Sequence, residues 1–382
     1  MMRLSAIAWI VLAASGFASA EKPGSLELVL PPVYHGVAGQ EMNVYFDNVI
    51  LSEMPEAFRY EVACGVGRVE GLRWTAVPET AGRHEWKLTV RDGQGAVLEQ
   101  AGMTVLVAPK EAGAGKALSL LIVGDSLTNA THYPNEMARL LSEPGNPEWK
   151  MIGTHRPGSA KPGVAHEGYG GWKWADFLTK HDPKGGGVTA GPLARKSTSP
   201  FLFADGAGAV TLDLKRYFRE NAKGQAPQVV TFLLGINDCF GASPTDRAAM
   251  AVKIDEVLDH AEKLLAEFRK AAPQAALAVG LTTPPNARES GFEANYKGRY
   301  HRWGWKNIQH RLVRRMIERL GGREGEGIYL VSTELGLDPV SGYPVDNGVH
   351  PNLAGYAQVG GAFYGWLKCW MTAEEPGFKK MR

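Results

Sequence analysis

Only three cysteines occur in this chain of 382 residues, and Cys64, Cys239 and Cys369 lie far apart. An odd, scattered set allows at most one disulfide within the monomer and offers no paired metal-ligand spacing. We read them mainly as small buried side chains, so disulfides are not what holds the protein together and neither a metal nor another cofactor is expected. Charge of one sign is also scarce: 42 Lys and Arg face 40 Asp and Glu. That balance argues for no particular charged partner, and nucleic acid is not expected as one. A membrane-spanning run is lacking too. The apolar run Ala6–Ala14 is too short for a span and is wrongly flanked. With Arg3 before it and Ala18-Ser19-Ala20 after it, the run reads as an export signal over residues 1–20. No cysteine follows Ala20, so a lipid anchor at the cut is not indicated. A periplasmic or extracellular protein is expected. The Gly-rich stretch Gly185–Pro200 lacks the spacing of a phosphate-cradling loop and reads as an exposed loop. There is no internal repeat.

What is present changes character along the chain. From residue 21 to 109 the pattern is β-like. Trp86, Leu88 and Val90 alternate with Glu85, Lys87 and Thr89. The turn Asp92-Gly93-Gln94-Gly95 follows, and Met103, Val105 and Val107 resume the alternation. Met42, Val44 and Phe46 do the same earlier. This predicts a small all-β, immunoglobulin-like sandwich. Residues 110–116 read as a linker. From residue 117 to 372, apolar strands alternate with helices: Leu118–Val123, Val229–Leu234, Ala275–Leu281 and Ile328–Val331 are strand candidates. Between the second and third, Ile254, Val257, Leu258, Ala261, Leu264, Leu265 and Phe268 form a helical stripe, with Ser243 as cap and Pro244 at the first helical position. Strand, helix, strand implies a parallel sheet with right-handed crossovers, an α/β fold.

Gly124-Asp125-Ser126-Leu127 follows the first of these strands directly. A serine at the carboxyl end of a buried parallel strand projects into the crevice where open α/β sheets hold ligands. Gly235-Ile236-Asn237-Asp238 follows the second strand and places an amide donor on the same rim. Alone it would be read as a turn. His350, in Asp346-Asn347-Gly348-Val349-His350-Pro351-Asn352, precedes the last helix and can reach over that rim. Within Glu167-Gly168-Tyr169-Gly170-Gly171-Trp172, glycine permits a backbone N–H to approach a ligand, so Gly171 is a further donor candidate. Together these supply a nucleophile, a base and oxyanion donors.

In that order and at those strand ends, the four blocks resemble the SGNH or GDSL-type serine hydrolases over roughly residues 117–368. The resemblance implies a flavodoxin-like three-layer α/β/α domain, esterase chemistry without a metal, Ser126 and His350 as catalytic residues, and an oxyanion hole of Ser126, Gly171 and Asn237. One position departs from the family's pattern. The aspartate expected three residues before the histidine is Asn347 here, and Asp346 lies four before. Either Asp346 reaches the imidazole through a bulge at Gly348, or a backbone carbonyl holds His350 in a dyad, or activity is lost. Asp346 as the triad aspartate, or a dyad, is the expectation, and Asp346 is taken with Ser126 and His350 as a catalytic residue.

The expected substrate is an acylated small molecule or polysaccharide, first of all O-acetylated carbohydrate, because export and an accessory β-domain suit glycan de-acetylation. No long apolar lid segment suggests action at a lipid interface. A general carboxylesterase or lysophospholipase-like enzyme is the alternative, and a catalytically silent glycan-binding protein is the alternative outside enzymes. Tyr169, Trp172 and Trp174, then Tyr296, Tyr300, Trp303 and Trp305, can stack on sugars, but such spacing more often marks core packing. The basic residues of 302–323 read as the solvated outer face of a helix whose inner face is apolar.

Overall fold

The computed structural model describes residues 26–182, 197–205, 207–296 and 300–372. The expected export signal and most of the Gly-rich stretch 185–200 lie outside the described residues. Between Glu27 and Ala108 the chain forms short strands. One sheet runs Val33–Val37, Val97–Ala108, Gly82–Arg91, Arg59–Cys64, and a second runs Met42–Tyr45, Arg73–Ala76, Arg68–Glu70. The hairpin predicted around Asp92 forms, with Trp86 opposite Met103. Asp92 Oδ1 closes its turn by accepting the N–H groups of Gln94 and Ala96. All strand pairs within these two sheets are antiparallel except Val33–Val37 with Val97–Ala108, which is parallel. The chain crosses through the second sheet before it returns, so both strands can run the same way. Trp74, Trp86, Val44, Leu88 and Val105 fill the space enclosed.

Beyond residue 116 lies a parallel sheet. Its main strands are β1 (Ala117–Gly124), β2 (Glu148–Ile152), β3 (Val229–Leu233), β4 (Ala276–Gly280) and β5 (Ile328–Val331). The order is β2-β1-β3-β4-β5, every pair parallel. This is the flavodoxin-like order, whose direction of winding reverses between β1 and β3, and the loops after those two strands open a crevice there. Strands β3 and β4 are buried at every position, as continuous apolar runs require when helices cover both faces. The helix α1 (Arg247–Ala271) carries the whole predicted stripe inward. It begins three residues later than expected, because Asp246 rather than Ser243 caps it, accepting from Ala249 N–H at 3.0 Å. Ser243 instead accepts from Asp246 N–H at 3.0 Å, closing the turn before the helix. Helices α2 (Arg302–Leu320) and α3 (Leu353–Thr372) complete the layers.

The two parts are joined by far more than residues 110–116. Within that segment Ala112 is buried, and its carbonyl accepts from the Lys368 ammonium. Asn48 Nδ2 donates to Glu334 O and Leu337 O, each at 2.8 Å. Leu335 is part of the β-sandwich core. The basic face of α2 is consumed by ion pairs: Arg311 and Arg314 hold Glu27, Arg315 holds Asp255, and Arg319 holds Glu262. Lys306 and Arg302 hold Asp47. Lys306 is 3% exposed. Burial lowers the Lys306 pKa, and Asp47 opposes that shift. Removing one partner of a buried pair leaves an uncompensated charge. Asp47→Ala is therefore expected to cost about 3–5 kcal/mol in a denaturant titration.

Candidate active site

Ser126 opens a one-turn helix, Ser126–Asn129, directly after β1. The cap is Asp125, whose Oδ1 accepts from Leu127 N–H at 2.9 Å. As the first helical residue, Ser126 has no carbonyl four residues back within the helix, and its N–H stays open to a ligand. The turn needs Gly124 at its start. A Cβ there would lie 1.9 Å from Thr128 Oγ1 and 2.9 Å from Leu233 O, so only glycine lets the Ser126 helix fold back so tightly against β3.

The Gly171 loop is anchored from beneath. Glu167 and Gly168 pair with Val123 and Gly124 of β1, and Tyr169 N–H donates to Gly124 O at 3.1 Å. Glu167 is fully buried and accepts from Thr154 N–H and Tyr217 O–H, each at 2.6 Å, and from Tyr169 O–H. These bonds satisfy a carboxylate that burial alone would penalise. Gly171 itself is exposed with φ +79°, a conformation L side chains rarely adopt. Among the described residues no acceptor takes its N–H.

Asn237, after β3, is half-buried and donates Nδ2–H to Trp172 O at 3.0 Å, which ties its amide to the Gly171 loop. The other contact of Nδ2, with Asp125 Oδ2, is 3.5 Å long and weak. Asp238 accepts from Trp174 N–H at 3.0 Å. Burial pushes the carboxyls of Asp125 and Asp238 up to about 7.

His350 Nε2 lies 2.8 Å from Ser126 Oγ. Two residues 224 apart in sequence are thus in hydrogen-bond contact on one rim of the sheet. Burial lowers the His350 pKa below the usual histidine value. The structure does not bring the Asp346 side chain to this ring. Asp346 is exposed, and its carbonyl accepts from Asn295. Asn347 occupies the place instead, with Oδ1 3.1 Å from His350 Nδ1. The physical reason is local. Asn347 Oδ1 also takes the N–H of Val349 at 3.2 Å and of His350 at 3.0 Å, a turn that swings residue 347 under the imidazole and residue 346 outward. Asn286 clamps the same loop, donating Nδ2–H to Pro344 O and Asn347 O at 2.8 and 3.0 Å. Sequence reading passed over Asn286 and Glu167, since a buried amide or carboxylate carries no local signature. Tyr169, Trp172, Trp174 and Trp305 are fully buried core residues, not a sugar platform. Cys64, Cys239 and Cys369 are free thiols. Among the described residues no group of three or more His, Cys, Asp or Glu side chains is arranged to hold a metal ion.

The sequence model of the GDSL-like lipase/acylhydrolase family matches residues 122–358, from inside β1 to inside α3. The chain belongs to this family. It is a carboxylic-ester hydrolase. No curated protein matches it. Similar solved structures include a carbohydrate esterase family 3 protein from Talaromyces cellulolyticus (16% identity, 68% of this chain and 100% of the other, TM-score 0.40). They also include a family 3 carbohydrate esterase from Clostridium thermocellum (17%, 68% and 98%, TM-score 0.39). A third is the acetyl xylan esterase AlAXEase (13%, 65% and 100%, TM-score 0.36). In this GDSL-like hydrolase the matched segment spans all the site residues described above.

Proposed function

We propose that this GDSL-like hydrolase is an exported serine esterase that removes O-acetyl groups from carbohydrate, with Ser126 as nucleophile and His350 as base. The 2.8 Å contact between Ser126 Oγ and His350 Nε2 is the observation that carries the chemistry. His350 Nε2 takes the hydroxyl proton as Oγ attacks the acyl carbon. The negative oxygen is received by the N–H groups of Ser126 and Gly171 and by the Asn237 amide. Collapse breaks the ester bond, and His350 returns the proton to the departing alkoxide. Water then gives its proton to His350 and attacks the acyl-enzyme. The acid leaves and Ser126 recovers its proton.

The rim around Ser126 is where a leaving group would sit. Asn129 and Asn237 are half-exposed around Ser126, and Lys173, Asn295 and Asp346 are exposed beside the loops that carry Gly171 and His350. Val345 and Leu353, 66% and 69% exposed, add apolar surface on either side of the His350 loop, among these polar groups. A polar rim suits a hydrated polyol better than an acyl chain entering from a lipid layer. The leader pattern of residues 1–20 supports action outside the cytoplasm, and the packed N-terminal β-unit, read as immunoglobulin-like, serves as a rigid buttress of the α2 side. The expected outcome is faster release of acetate from acetylated xylan than of fatty acid from a lysophospholipid, measured on the same protein. Faster fatty-acid release would move the assignment to a lysophospholipase-like enzyme.

A further inference from the structure

A serine–histidine pair works as a base only when the imidazole proton sits on Nδ1 and the lone pair of Nε2 faces the hydroxyl. In serine hydrolases with an aspartate behind the ring, either carboxylate oxygen accepts from Nδ1–H. An asparagine can do this through its oxygen or defeat it through its NH2, and the wrong orientation costs about 10⁴ in rate. The orientation of Asn347 is decided by its surroundings. Its Oδ1 is the acceptor for two backbone donors, Val349 N–H at 3.2 Å and His350 N–H at 3.0 Å. Turning the amide over would point NH2 at both and lose both bonds. The same oxygen is the atom 3.1 Å from His350 Nδ1.

Resting on the serine-esterase reading, we infer that Asn347 is a positioning residue that fixes the Nδ1–H tautomer of His350 without a negative charge, so that the site runs on a Ser-His-Asn arrangement. The loop is built to keep it there. Asn286 is fully buried and grips the backbone of residues 344 and 347. Its own N–H donates to Gly348 O at 2.9 Å. A Cβ at Gly291 would lie 2.9 Å from Asn347 O, so the loop also packs tightly against the neighbouring helix. Acidic groups on the surrounding turns are engaged elsewhere or face solvent. Asp125 bonds Leu127 N–H, Asp238 bonds Trp174 N–H, and Asp346 is exposed. The imidazole is thus oriented by a neutral oxygen in a half-dry site.

The consequence is a base with no built-in anionic support for its protonated form. Placing a carboxylate at position 347 adds it, and a neighbouring opposite charge raises a pKa by about 1–3 units. In Asn347→Asp the acid limb of kcat/KM therefore moves to higher pH by about that amount, with kcat at alkaline pH rising. Asn347→Leu lowers kcat by about 10²-fold with KM little changed, because the ring loses its tautomer and orientation while the acyl site is untouched. The direct readout is the pair of imidazole ¹⁵N resonances of His350 in the wild type, assigned by their loss in His350→Gln. The expected result is the Nδ1–H tautomer in wild type and Asn347→Asp, and a mixed or Nε2–H population in Asn347→Leu. An Nε2–H resting state in the wild type would overturn the inference. So would an acid limb in Asn347→Asp that coincides with that of the wild type. The resonance measurement needs neither turnover nor a folded variant at position 347. Failure of the esterase reading, seen as an equal rate in Ser126→Ala, is thereby distinguished from failure of this inference.

Discussion

Ser126→Ala is expected to reduce ester hydrolysis by about 10⁴- to 10⁶-fold, and His350→Ala to reduce it similarly, with the double variant no worse than the weaker single one. The two groups act as a unit. Without Oγ there is no acyl-enzyme, and without Nε2 at 2.8 Å the hydroxyl proton has nowhere to go at neutral pH. What survives is the contribution of the oxyanion donors and of binding. The Ser126→Ala fold should be intact, because the residue caps no other group and the Asp125–Leu127 bond that shapes its turn remains. The measurement is kcat for a small acetyl ester in the three variants. Losses that multiply in the double variant would mean that the residues act independently.

Asn237→Ala is expected to lower kcat by about 10²–10³-fold and to leave KM nearly unchanged. The amide is held by its bond to Trp172 O, and the second contact of Nδ2, to Asp125 Oδ2 at 3.5 Å, is weak enough to be exchanged for an oxyanion. Its benefit is realised only when charge develops on the substrate oxygen, which is why the effect falls on kcat. A conservative side chain does not replace it: Asn237→Asp puts a carboxylate acceptor, beside the buried Asp125 carboxyl, where a donor is needed. Steady-state kinetics on the same acetyl ester decide the point. A change confined to KM would make Asn237 a ground-state contact and not an oxyanion donor.

The parts of this site that the sequence made legible share one property: each is a short block at the end of an apolar strand or just before a strongly apolar helix. Ser126 follows β1 and Asn237 follows β3; continuous apolar runs announce parallel strands, and parallel strands put their carboxyl ends on one rim. His350 was legible for the same reason, since the helix after it has an unbroken apolar face. The partner of His350 was not. Choosing between Asp346 and Asn347 depends on one turn, in which two backbone N–H groups bind Asn347 Oδ1 and rotate residue 346 outward. Charge chemistry favoured Asp346, and local geometry gave the position to Asn347. The aromatics illustrate the opposite limit. Tyr169, Trp172 and Trp174 sit in a loop-like stretch, yet they fill the space between the Gly171 loop, β3 and neighbouring helices, with Trp174 stacked on Phe232 at 5.6 Å. Nor did composition reveal how firmly the β-unit is docked. Glu27 and Asp47 are ordinary acidic residues until α2 brings Arg311, Arg314 and Lys306 to them.

The central claim is that Ser126 is the nucleophile that carries the acyl group. Intact-protein and peptide mass spectrometry after treatment with a fluorophosphonate tests it most directly. A single phosphonyl adduct on the peptide containing Ser126, absent from Ser126→Ala and much slower to form in His350→Ala, is the predicted result. An unlabelled wild-type protein, or an adduct on any other residue, would contradict the claim.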